Sequence, residues 1–541
     1  MASLSKHDQA RVLSVHALAS SGDLDGAMSL AMQALQSGLE HPLIFNLAAL
    51  QSEREGNLLG ALALLDRGLA LSMDDPGSLN ARGLLLMRLE RAADAIACFD
   101  RMIALDPSPP FVHVNRGNAL QMLGELAAAE DSYRQALVRD ECHPIALAGL
   151  STVLSQRGDH LRARRAGEQA LLLAPGLADA ALSVVAADLA DGQLAAAEVR
   201  VRALLQDPTL GTLDACRAEG LLGDVLDAKG SLSQAYDAYL TANQRLQQHY
   251  APQFAHVRPT ALEYARDLTA QLTQRGVSTA NLTRSAEAAG QHVFLVGFPR
   301  SGTTLLEIAL NGHPAVVSLE EKELMIEAVR VFMRTPHDIH GLERASDVEL
   351  DRLRQCYWEA VRAEGLDVSG KVFVDKYPLN LLKWPLIARL FPKARVLFAL
   401  RDPRDVVLSC FRRQFRMNAP MFEMLTLQGT AAYYDAVMAL ADCCRDCYPL
   451  PTLVVRHESL VADFRPVMEA VADFLGLEWH QAMDNFSARA VTRAFATPST
   501  AQLASGLQTH FVGQWRRYHG QLLEILPILE PWVAKYQYPM H

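Results

Sequence analysis

The chain has 541 residues, a formal net charge of −10, and a composition half apolar and 21% charged. That is length for two or three folded domains rather than a disordered chain, and the acidic balance excludes a chain-wide role in binding nucleic acid. No run of about 18 apolar residues is present, so no membrane span is expected. The opening "MASLSKHDQARVLSVHALASSGD" has charges where a signal peptide needs an apolar core, which makes the cytoplasm the expected location.

From the N-terminus the chain repeats itself. The segments "GDLDGA" (22–27), "GNLLGA" (56–61), "ERAADA" (90–95), "GELAAA" (124–129), "GDHLRA" (158–163) and "GQLAAA" (192–197) each begin 34 residues after the one before, and "GSLSQA" (230–235) follows after 38. The closing alanine recurs at Ala27, Ala61, Ala95, Ala129, Ala163, Ala197 and Ala235, and prolines keep the period at Pro42, Pro76, Pro110 and Pro144. The leading glycine suits a left-handed turn between two helices, and the alanine suits a place where two helices cross closely. Proline marks a helix boundary and suits the first turn of the next helix. The pattern resembles the tetratricopeptide repeat, whose helix pairs stack into a superhelix. The resemblance implies an array over residues 1–250 that docks a protein or peptide, with carrying or dimerising the rest of the chain (a homodimer) as the alternative. Residues 251–290 hold one helical pattern, "ALEYARDLTAQLTQRG", and then a polar linker.

From 291 to 541 the texture is α/β. The β-like runs "VFLVG" (293–297), "KVFVD" (371–375), "ARVLFAL" (394–400) and "TLVVR" (452–456) alternate with helical ones, which predicts a parallel sheet covered by helices, with ligands at the C-terminal strand ends. The first run leads into "GFPRSGTT", whose Gly297 and Gly302 have the spacing of a phosphate loop, while Thr303 stands where a nucleotide-triphosphate loop has lysine. Backbone amides at the helix start, the hydroxyls of Thr303 and Thr304 and the charge of Arg300 suit an anion. The missing lysine argues against a kinase. A second anion site is expected at "FALRDPRDVVLSCFRR", from Arg401 at a strand end and Ser409 on the following helix. Two separate phosphate sites on one sheet point to a nucleotide phosphorylated at 3′ and 5′. Cys443, Cys444 and Cys447 lie in a helical pattern and read as reduced core thiols rather than metal ligands.

The order "GFPRSGTT", "HP…EE", "DKYP", "LFPKARVLFALRDPR", "FLGLEW", "PSTAQ" and "QWRRY" resembles the protein-tyrosine sulfotransferases, which use 3′-phosphoadenosine 5′-phosphosulfate (PAPS) and release adenosine 3′,5′-bisphosphate. The resemblance implies a metal-free transfer of a sulfuryl group to a hydroxyl acceptor. By it Arg300, Ser301, Gly302, Thr303 and Thr304 hold the 5′-phosphosulfate, and Arg401 and Ser409 hold the 3′-phosphate. Lys376 neutralises the bridging oxygen, Ser499 lies near the same phosphate, and Glu321 is the base with Glu320 beside it. His313 is the rival base. His457 stands where the family often has a tyrosine contacting adenine, and Gln514 replaces a lysine whose charge Arg516 or Arg517 could supply. The family's basic acceptor-binding residues after the paired acids are not matched, since Lys322 is followed by Glu323. Protein tyrosine is therefore one acceptor class beside carbohydrates and small molecules. The reading from another class is a repeat scaffold whose α/β domain binds nucleotide without catalysis.

Overall fold

The computed structural model describes residues 5–274, 289–492, 507 and 511–540. They form two compact units that divide between Gln193 and Leu194. The first consists of tandem helix pairs of the tetratricopeptide type, such as Pro42–Arg54 with Leu58–Leu71 and Pro76–Arg88 with Ala92–Leu105. Each periodic proline opens the first helix of a pair, where its missing N–H costs nothing. All seven periodic alanines have no exposed surface. The turn glycines Gly22, Gly56, Gly124, Gly158, Gly192 and Gly230 have φ between 72° and 87°. In the third copy Glu90 occupies the same left-handed turn at φ 59°, so the turn geometry survives the loss of glycine.

The second unit begins with the helices Leu194–Leu205, Thr212–Ala228 and Leu232–Phe254, followed by Ala261–Thr273. It then forms a five-stranded parallel sheet: β1 (Gln291–Gly297), β2 (Val316–Glu320), β3 (Val372–Lys376), β4 (Arg395–Leu400) and β5 (Thr452–Arg456), in the order β2-β3-β1-β4-β5. Four strands fall on the runs expected from sequence. The fifth, β2, was not anticipated: it is a short edge strand, half exposed, without the continuous apolar run of its neighbours.

Side chains alternate across the sheet. Val293, Leu295, Val374, Leu397 and Ala399 pack with Leu306 and Ile308 of the Thr303–Leu310 helix and with Met468 and Val471. On the opposite face His292 and Phe294 make tilted and edge-on ring contacts in a cluster with Tyr357, Trp358 and Phe391. Successive strands go to one side of β1 and then to the other, so the loops leaving β1 and β4 border a crevice at the C-terminal edge, the usual ligand position of such sheets.

Among the described residues no helix is long and apolar enough to cross a membrane. The three clustered cysteines lie on the Leu427–Cys447 helix, Cys444 and Cys447 buried, and all eight cysteines are unpaired.

Candidate functional site

The loop after β1 ends at Gly302, which caps the Thr303–Leu310 helix in a left-handed conformation (φ 101°). A β-carbon there would lie 2.6 Å from Nδ1 of His457, so glycine is required by both conformation and space. Arg300 is also left-handed, at φ 70°, an uncommon state for a residue with a side chain. Ser301, Thr303 and Thr304 are buried around this turn, and Ser301 Oγ has no hydrogen-bond partner among the described residues. A cramped loop with a buried, unsatisfied hydroxyl at a helix N-terminus fits an anion.

The two predicted anion sites are one connected structure. Arg300 Nε donates to Ser409 Oγ at 3.1 Å. Arg401 donates to the carbonyl of Arg300 at 3.3 Å and to that of Phe511 at 2.7 Å, and its Nε is buried without a partner among the described residues. The acidic residues nearest Arg401 in sequence are mostly engaged elsewhere. Asp402 holds Arg404 at 2.7 Å, while Asp405 accepts from the amides of Gly513 and Trp515 and approaches Arg401 only to 3.7 Å. Burial lowers the Arg300 pKa to about 9, helped by the neighbouring Arg413 and Arg401 cations. Burial and the same Arg401 and Arg300 charges press the His457 imidazole down to about 3, so it is neutral at pH 7. A bound anion would relieve this crowding of positive charge.

The parallel register sets Glu320 opposite Lys376. Lys376, with no exposed surface, donates to Oε1 of Glu320 and to Oε1 of Glu321, each at 2.8 Å. Burial alone would lower its pKa, but Glu320, Glu321 and Glu307 outweigh that and raise it. The two carboxylates differ in access: the Glu320 side chain is 9% exposed and that of Glu321 38%. Glu321 sits just past β2 at φ 50°, its amide donating to the Lys376 carbonyl at 2.7 Å. The acidic pair thus ends a strand and does not begin a helix.

His313 lies before β2, at the opposite edge of the sheet from Glu321. Its Nε2 is 3.1 Å from the Glu478 carbonyl and its Nδ1 accepts from the Ala315 amide. It shapes a turn. Arg517 pairs with Asp227 at 3.1 Å and Arg516 stacks on Trp515. Lys322 pairs with Glu364 and Glu323 with Lys383. Ser499 lies outside the described residues.

Residues 292–481 match the model of the sulfotransferase family. The second unit therefore carries a sulfotransferase-family domain. The chain is 24% identical to the protein-tyrosine sulfotransferase of Drosophila melanogaster over 42% of its own length and 48% of the relative's. It is 28% identical to protein-tyrosine sulfotransferase 2 of Gallus gallus over 35% of its length and 51% of the relative's. An uncharacterized protein of Aquifex aeolicus is 23% identical over 62% of this chain and 44% of that one. The chain spans about half the length of these relatives. Among solved structures, a tetratricopeptide repeat protein from Parabacteroides merdae aligns at TM-score 0.37 and 17% identity, over 44% of this chain and 94% of that one.

Two further groups lie near Lys376 and the loop. Glu307, fully buried in the helix that follows the loop, accepts from Ser318 and, at 3.5 Å, from Asn311. A lone carboxylate in the apolar stretch "LLEIAL" was a sequence signal for it. On the other face of β3, Tyr357 donates to Asp375 at 2.8 Å and lies 2.8 Å from His292. Burial raises Asp375 to about 7, although Tyr357 and Asn380 hydrogen-bond its charged form. Nothing in sequence spacing linked those three.

Proposed function

We propose that the chain transfers a sulfuryl group from PAPS to a hydroxyl acceptor. The observation that carries this reading is the link between the two anion sites, with Arg300 of the first loop hydrogen-bonded to Ser409 of the second. One nucleotide with phosphates at 5′ and 3′ would bridge them. Gly302, Ser301, Thr303 and Thr304 would hold the 5′-phosphosulfate through loop amides and hydroxyls. Arg401 and Ser409 would take the 3′-phosphate, and the neutral His457 ring, packed on Gly302, would border the nucleotide.

In this scheme Arg300 and Lys376 stabilise charge on the departing phosphate as its bond to sulfur breaks. Charge stabilisation aimed at the transition state is worth roughly 3–4 kcal/mol per donor. Glu321 accepts the acceptor's proton as the new O–S bond forms. A carboxylate in that place suits partial transfer during bond formation better than prior deprotonation of a phenol. The salt bridge gives Lys376 a resting partner that it exchanges for the leaving oxygen. Protein tyrosine is the acceptor class named in the Drosophila and chicken relatives, and the tetratricopeptide-type pairs would dock such a protein or peptide. Eight unpaired cysteines suit a reducing cytoplasm.

Calorimetry with adenosine 3′,5′-bisphosphate and with ATP tests the reading. The bisphosphate is expected to bind at least ten-fold tighter, and equal affinity would overturn the assignment of two phosphate sites. Transfer of labelled sulfate from PAPS to tyrosine peptides and simple phenols then separates an enzyme from a nucleotide-binding scaffold.

A further inference from the structure

The second anion site is held from outside the sheet. The segment 411–414, following the helix Pro403–Phe411 that carries Ser409, lies against the helices Thr212–Ala228 and Leu232–Phe254 of the terminal repeat pair. Asp224 accepts from Arg413 at 2.7 Å and from the hydroxyl of Tyr239 at 2.8 Å. Asp227 accepts from Arg412 at 2.9 Å and from the hydroxyl of Tyr518 at 2.7 Å, and pairs with Arg517 at 3.1 Å. Asn243, buried, donates to the Phe411 carbonyl at 2.8 Å, satisfying a helix-end acceptor. Gln414 donates to the Cys216 carbonyl, and Tyr236 stacks on Phe411. Tyr239 lies against Gly223, where a larger residue would displace its ring.

Most of these contacts are at least partly buried, and five of them, two of them ion pairs, meet the one short segment 411–414. The segment directly follows the turn that carries Ser409, which accepts from Arg300, and Arg413 is close enough to Arg300 to repel it. Arg412 is additionally enclosed by the rings of Tyr239 and Tyr518. A buried guanidinium with fixed partners has one orientation, and losing one partner frees it.

We infer that Asp224, oriented by Tyr239 and seconded by Asn243, is a positioning residue for the second anion site: the terminal repeat pair sets the end of the Ser409 helix and the arginines beside it. Resting on the proposed reading that this site takes a 3′-phosphate, the inference makes part of the repeat array a determinant of nucleotide specificity.

The test uses full-length D224A, D224N and Y239F. Affinities for adenosine 3′,5′-bisphosphate and adenosine 5′-monophosphate are measured, with hydrogen exchange of residues 409–414 in the unliganded proteins. D224A is expected to lose roughly ten-fold in bisphosphate affinity, the scale of one charge-assisted contact, and less than two-fold for the monophosphate. D224N keeps an oxygen opposite Arg413 and is expected to recover at least half of that discrimination. Y239F, which keeps the ring, is expected to lose about three-fold in the bisphosphate alone, one neutral hydrogen bond's worth. Exchange at 409–414 is expected to rise in D224A while that of the 297–304 loop stays unchanged. Equal losses for both nucleotides, no recovery in D224N, or unaltered exchange at 409–414 would each overturn the inference. If the wild type fails to prefer the bisphosphate, the functional reading falls, while the exchange measurement still decides whether Asp224 holds the segment. Should D224A not fold, Y239F supplies the same readouts.

Discussion

The ammonium of Lys376 and the carboxylate of Glu321 meet at 2.8 Å, although 55 residues separate them in sequence. The contact couples the group proposed to stabilise the leaving phosphate to the group proposed to take the acceptor's proton. Glu321→Gln keeps the size and an oxygen for Lys376 but removes basicity. Transfer to a hydroxyl is expected to fall roughly 10²–10⁴-fold, the range of a lost general base, while calorimetry shows bisphosphate affinity within about two-fold of wild type by the same logic. Near-normal turnover would place the base elsewhere.

Lys376 and Arg401 should separate kinetically. Lys376→Met is expected to lower kcat by about 10²–10³ through lost transition-state stabilisation. Arg401→Ala is expected chiefly to raise KM for PAPS, by roughly 10–100-fold for one charged contact. The two variants showing one and the same phenotype would contradict the assigned roles. Because Lys376→Met removes the ammonium that the largely buried Glu320 faces at 2.8 Å, its folding must be checked by denaturation alongside.

Asp375 makes stability depend on pH. Burial raises its folded pKa to about 7 from the ordinary aspartate value of 3.8. Between those values the folded state binds more protons than the unfolded one, so this group's contribution is fully present below about pH 4 and is lost as pH rises through about 7. Asp375→Asn removes the titration, and urea unfolding at pH 5 and pH 8 reads the effect. The stability of the variant relative to wild type is expected to improve on going from pH 5 to pH 8. A difference that is the same at both pH values would sink the proposal of a buried titrating carboxylate.

Truncation should distinguish two cuts. A chain starting at Leu194 retains the compact second unit and is expected to bind the bisphosphate as the full chain does. One starting at 251 lacks Asp224, Asp227 and Asn243, stranding Arg412 and Arg413. It is expected to be insoluble or to melt well below the longer fragment by differential scanning fluorimetry. Equal melting temperatures would show the terminal pair to be dispensable for that unit's fold.

Much of this was legible in the chain itself, because it rests on local rules. A helix pair needs a turn and a close crossing at fixed spacing, so the 34-residue period with its glycines and alanines announced the array. A strand running into Gly297–Gly302 and a helix announced a tight turn at a helix start, where free amides suit an anion. What the residues around these signals do to one another was decided by tertiary structure. The register of β2 against β3 chose Lys376 as partner of both acids, and the burial of Glu320 left Glu321 as the accessible one. Likewise Arg413 found its carboxylate 189 residues away, on a helix that the repeat period alone assigned to the array. Pairing across such distances is a property of packing, since a buried charge takes whichever opposite charge the fold delivers, and no local pattern records which one that is.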